Sequence, residues 1–183
     1  DEKAYQEHPV FAQLLRYMRF YDRLAMSVFS FVTLGTKALV NMDTYVYSSM
    51  QGTVESMRAV LLAGRINDAY ALLRKYHDSA VINVYSNLYL HDHVSIENFI
   101  VEKINNWLQG KEPLPDYRIM SQYIKASKAL QPVNEVLSLD DRYKRLRDRC
   151  NDHTHYNFYH YAMLNDRAIH MGSRGKWLDR FSE

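Results

Sequence analysis

Apolar positions recur at three- and four-residue intervals along almost the whole chain, and alternating runs bounded by turn residues are nearly absent. The first stripe passes through Phe11, Leu14, Met18, Tyr21, Ala25, Val28 and Val32, with Pro9 placed to open the helix in its first turn. Arg16, Arg19 and Arg23 follow the same helix at about one-turn intervals as a solvated edge. Gly35 marks a kink or break, and a second helix is predicted from about Thr36 to Ala63, ended by Gly64 as a left-handed residue. A third runs from Asn67 to about Leu90 and closes at His91-Asp92-His93. Ser95 is expected to cap a fourth, whose Ile96, Ile100, Ile104, Trp107 and Leu108 form one stripe ending at Gly110. The stretch 110–116, with Pro113 and Pro115, reads as a loop, and Asp116 as the cap of a helix through Leu130 that Pro132 closes. Ser138 and Asp141 have capping-box spacing, so another helix is expected to start near Leu139. The last reaches about His170; Gly172 and Gly175 then loosen the tail, and Trp177 and Phe181 dock back or meet a partner. These elements imply an all-α protein, a compact bundle of six to seven helices forming a single domain over residues 1–183.

Composition narrows the class. A chain of 183 residues can bury roughly 70% of its unfolded surface, enough for a real core. With 47% hydrophobic and 24% charged residues it reads as a soluble globular protein, not a disordered one. The formal net charge of +2 does not announce a nucleic-acid partner. The charge is concentrated, however: Arg142, Lys144, Arg145, Arg147 and Arg149 outnumber Asp148 within eight residues. Cys150 is the only cysteine, which excludes an intrachain disulfide and a cysteine-based zinc site; a small core hydrophobe in a reducing cytoplasm is the expectation. The most apolar run, Leu24 to Gly35, is too short to span a bilayer, so no membrane span is expected. His91 and His93, with His153, His155 and His160, invite a metal reading. The Glu-x-x-His pairs typical of bundle metal sites are missing, and a helix end suits the His91 group, so no metal or cofactor is assigned.

The densest chemistry lies between Ser138 and Tyr161. On a helix, Arg147, Asn151 and His155 fall on one stripe at i+4 steps, while Arg145, Arg149, Asp152 and His153 form a neighbouring one. A guanidinium can hold a phosphate or a pentacoordinate centre, an imidazole can move protons near neutral pH, and an amide can orient either. Such a set permits phosphodiester cleavage without a metal; a solvated face of a basic helix is the plainer alternative. The aromatics Tyr156, Phe158, Tyr159 and Tyr161 could stack on unpaired bases or serve as core or dimer contacts.

The segment Arg-Asp-Arg-Cys-Asn-Asp-His-Thr-His resembles the R-x(4–6)-H signature of the HEPN superfamily, small all-α domains that include metal-independent ribonucleases of toxin–antitoxin and phage-defence systems. Arg149 to His155 and Arg147 to His153 both fit the spacing. Residues 61–78 are similar to an upstream helix of HEPN-like bacterial families, with Gly64, Arg65, Asp68, Ala69, Leu72, Arg74 and Asp78 matching Gly-Arg-x-x-(Asp/Glu)-Ala-x-x-Leu-x-Arg and its trailing acid. The likeness spans about residues 45 to 160 and leaves 162–183 as a tail. It implies catalysis by Arg149, Asn151 and His155, with Arg147 and His153 as the alternative pair, Arg74 and Asp78 in support, and Arg145 and Tyr156 on substrate. It also implies a homodimer cutting single-stranded RNA in the cytoplasm under an antitoxin or other regulatory protein. The chain departs from the toxins modified by a nucleotidyltransferase antitoxin, which carry His-x-Tyr, because Tyr156 and Asn157 follow His155. A non-catalytic, dimeric HEPN-like bundle that binds RNA or protein is the rival expectation.

Overall fold

In a computed structural model that describes residues 2–31, 39–166 and 174–183, the described residues form ten α-helices and one 3-10 turn, with no strand among them. The helices are α1 (Glu2–Gln6), α2 (Pro9–Phe31), α3 (Met42–Leu62), α4 (Ile66–His93), α5 (Glu102–Leu108), α6 (Tyr117–Ala126), α7 (Gln131–Leu137), α8 (Arg142–Thr154), α9 (Tyr159–Met163) and α10 (Arg174–Ser182). The all-α class is as expected, but short elements raise the number of helices above six or seven. Gly35 and Gly172 lie outside the described residues.

Helix ends follow the sequence where the cap chemistry is local. Pro9 opens α2. Gly64 stands at φ +76° after α3; its N–H donates to the Leu61 carbonyl at 2.8 Å and that of Arg65 to Val60 at 2.9 Å, a Schellman pair. Gly110, at φ +69°, ends α5 in the same way on Trp107 and Asn106. The Asp116 carboxylate accepts from the Ile119 N–H at 3.0 Å and caps α6.

Three expected ends are corrected. The Ser95 hydroxyl takes the Asn98 N–H at 3.1 Å, closing a local turn in place of a helix, and α5 begins only at Glu102. Ile96 and Ile100 are therefore exposed, and Val101 and Ile104 carry the buried contact. Pro132 does not close a helix. It sits in the first turn of α7, where its missing N–H has no intrahelical partner to lose. No capping box forms at Ser138, whose hydroxyl donates back to the Asn134 carbonyl at 2.7 Å and ends α7. Asp141 precedes α8 without a side-chain cap and pairs instead with Arg145 at 3.0 Å.

Contacts divide the chain into two compact units, residues 1–23, 49–76 and 141–183, and residues 24–48 and 77–140. In the first, Leu14 of α2, Met57 and Leu61 of α3, Ile66 and Tyr70 of α4, Cys150 of α8 and Leu178 of α10 share one buried cluster. Trp177 and Phe181 pack against that cluster, so the tail docks back, and Gly175 lies inside α10 and loosens nothing. In the second unit Val81, Tyr85 and Met120 form one cluster, and Met42, Val101 and Ile104 another. There Asp43 accepts from the amides of Asn83 and Asn87 at 2.7 and 2.8 Å. No helix among the described residues is long and apolar enough to cross a membrane.

Candidate active site

Helix α8 sorts its polar residues by face. Cys150 and His153 are turned into the core, and Leu146 packs beside them. At about 100° per residue, Asn151 and His155 lie about 40° and 80° around the axis from Arg147, so these three share one side. Arg147 and Asn151 are half-buried, and His155, the C-cap residue, is exposed. Its ring makes no hydrogen bond among the described residues; only its backbone N–H is engaged, on the Asn151 carbonyl at 3.0 Å. Arg74 reaches across from α4 and donates to the Asn151 side-chain oxygen. A guanidinium from one helix thus meets an amide on the same face as a solvent-facing imidazole.

Arg149 belongs elsewhere. It stands about 160° from Asn151 and about 120° from His155 around the axis. Its guanidinium donates to the Arg180 carbonyl at 2.9 Å and lies 3.7 Å from the Glu183 carboxylate, both at the end of α10. The expected trio of Arg149, Asn151 and His155 is therefore divided between two sides of α8. Arg145 is exposed and held by Asp141. Tyr156, half-exposed, takes the left-handed position after α8 at φ +49°, and its hydroxyl accepts from the Asn165 amide at 3.4 Å. Asp78 falls in the second unit, with the His77 ring 3.5 Å from its carboxylate.

His153 is a core residue. It has no exposed surface, stacks on Tyr70 at 3.9 Å, and has Tyr161 at 3.9 Å and the edge of Trp177 at 5.8 Å. Its Nδ1 lies 2.9 Å from Asn67 Oδ1, an atom that only accepts, so the proton sits on Nδ1. Burial pushes its pKa down to about 4, and the positive charges of His160 and Arg149 act in the same direction. A neutral imidazole sealed among rings cannot reach a substrate, and that removes Arg147 with His153 as a working pair. It does predict a pH effect. Because the folded value lies below the ordinary 6.5, protons favour the unfolded chain. Its contribution is complete above about pH 6.5 and declines as pH falls toward 4. Urea midpoints measured across that interval should fall less steeply for His153→Gln than for the parent; superimposable profiles would count against this account.

Several structural partners were not legible as such in the sequence. Asn67 holds His153, and Asn165 caps the start of α4, its Oδ1 accepting from the Asp68 N–H at 3.1 Å while its amide donates to the Asp68 carboxylate at 2.7 Å. Of the four clustered aromatics, Tyr161 packs against the core, while Tyr156, Phe158 and Tyr159 are exposed. At the end of α4, His93 stacks on Tyr89 and Asp92 accepts from the Tyr123 hydroxyl at 2.7 Å. No group of three or more His, Cys, Asp or Glu residues able to hold a metal occurs among the described residues. No family model, no curated protein and no solved structure matches the chain.

Proposed function

We propose that the chain is a metal-independent endoribonuclease of the HEPN type, with Arg147, Asn151 and His155 on α8 and Arg74 on α4 as its working set. The observation that carries this reading is the Arg74–Asn151 bond, which fixes a cation beside the amide on the side of α8 where His155 faces solvent. In the reaction His155 takes the proton of an RNA 2′-hydroxyl, the freed oxygen attacks the adjacent phosphorus, and the bond to the 5′-oxygen breaks. The leaving oxygen is protonated by the corresponding imidazole of a second copy, in the homodimer that the resemblance implies. Arg147 and Arg74 face the charge that grows on the phosphoryl oxygens. The products are a 2′,3′-cyclic phosphate and a 5′-hydroxyl. Single-stranded segments are the substrate, since A-form duplex hides its base edges in a deep, narrow groove and its regular backbone keeps each 2′-hydroxyl out of line with the adjacent phosphorus. A cytoplasmic toxin or phage-defence role, and an antitoxin or other regulatory partner, follow from the resemblance alone.

A second reading has its own observation. Arg149 is occupied by the end of α10 and His153 is sealed in the core, as in a HEPN-like bundle that keeps the shape and binds RNA or protein without cutting. One experiment separates the two. Single-stranded RNA is incubated with the purified chain in excess chelator, and the ends of any fragments are determined. Cyclic-phosphate ends support the ribonuclease; retention of intact RNA by the protein supports the binding module; cleavage that requires added metal overturns the proposed chemistry.

A further inference from the structure

In the first unit, α2, α3, α4 and α10 enclose a groove of about 640 Å³ that is separate from the Arg74–Asn151 pair. Its floor is a closed apolar base formed by Val10, Leu14, Val54 and Met57, each only 2–7% exposed. Its lip is Tyr17 and Phe20, 56% and 54% exposed. Arg16 also lines the groove, and no carboxylate does. Around α2, Arg23 lies within about 20° of Arg16 at the edge of the groove. Arg19 lies about 60° outside that edge and about 60° from Asp22, so the cations flank the groove on its Arg16 side. Asp22 points about 120° away from Arg16. Arg16 and Arg19 make no hydrogen bond or ion pair among the described residues.

We propose that this groove docks an amphipathic helix of a partner protein, apolar on its inner side and acidic along the edge that meets Arg16, Arg19 and Arg23. A floor of aliphatic and methionine side chains between raised aromatic lips takes branched anchors spaced at helical intervals. The bordering cations supply register and attraction, which is the usual work of charge at the rim of an interface. Single-stranded RNA suits the groove less well. Bases stack on flat rings, and here the rings form the lip while the floor is aliphatic. A second copy suits it less well again, because a two-fold contact on this face would set one cationic flank against another.

The test is fluorescence anisotropy with a labelled designed helix of about 18 residues carrying leucines at i, i+3, i+4 and i+7 and glutamates along one flank. A lysine-flanked version and an RNA of about ten nucleotides are run in parallel, and light scattering reports self-association. The glutamate helix should bind saturably and at least about tenfold more tightly than the lysine helix. Arg16→Glu with Arg19→Glu should reverse that preference, and Tyr17→Ser with Phe20→Ser should abolish binding while thermal unfolding is unchanged. These positions are exposed, so loss of fold is not expected to intervene. Failure of the glutamate helix to bind, an unchanged preference in the charge-reversed variant, or occupation of the face by RNA or by a second copy would each overturn the proposal. None of these outcomes depends on whether the chain cuts RNA.

Discussion

On the ribonuclease reading proposed above, cleavage of single-stranded RNA is expected to fall by about 10²–10⁴-fold when His155 becomes alanine, with the unfolding temperature unchanged. The two halves of this expectation have one origin. His155 ends α8 through its backbone, which alanine retains, and its ring is exposed and bonded to nothing described, so removing the ring sacrifices chemistry and no packing. Arg147→Ala should lower cleavage by a smaller factor, because Arg74, held on Asn151, is the second cation that the proposal sets against the phosphate. Arg149→Ala should behave in the opposite way. Its guanidinium ties α8 to the Arg180 carbonyl, so its loss should show in stability first and in cleavage little. If Arg149→Ala eliminated cleavage in a folded protein while Arg147→Ala left it intact, the working set assigned here would be wrong. Rates in chelator, with circular dichroism on each variant, decide the matter.

That contrast marks where the sequence stopped being informative. A motif of the form R-x(5)-H is a spacing along the chain, and a regular helix turns six steps into a separation of about 120°. Arg149 and His155 therefore need either an irregular helix or a second copy to meet, and the helical stripe of Arg147, Asn151 and His155 was the better guide to which side chains share a face. Local chemistry was read well. Pro9, Gly64, Gly110 and Asp116 act on their own turns, and each stands where its cap or break was expected. Ser95 and Ser138 show the limit of the same logic. A serine hydroxyl competes for whichever backbone group is nearest, and here the Asn98 N–H and the Asn134 carbonyl took precedence over a helix start. The burial of His153 had a local signal, because Leu146, Cys150 and His153 stand at i, i+4 and i+7 on one face of α8; the groups that enclose it had none. Its cage comes from Asn67, Tyr70, Tyr161 and Trp177, which only tertiary packing brings together, and no spacing near residue 153 announces them.

Gly64→Ala is expected to destabilise the fold by about 2–5 kcal/mol, more than an ordinary helix-end substitution, because two independent costs coincide there. The backbone stands at φ +76°, where a Cβ meets its own carbonyl, and this accounts for about 1–2 kcal/mol. The same Cβ would also intrude on the guanidinium of Arg174, falling inside contact of Nη1 and 2.9 Å from Cζ. Arg174 is only 3% exposed, so its guanidinium must displace packed neighbours when it gives way. Gly110→Ala isolates the first cost. It has nearly the same φ, +69°, and open space around the added carbon, so it should lose only about 1–2 kcal/mol. Tyr156 supplies the converse, since it already occupies a left-handed position at φ +49° with its ring half-exposed; Tyr156→Gly should gain about 1 kcal/mol or be neutral. Urea unfolding of the three variants gives the order directly. Equal losses at Gly64 and Gly110 would mean that Arg174 yields freely, and that the close packing of its guanidinium on the end of α3 contributes nothing to the cost of a side chain at that turn.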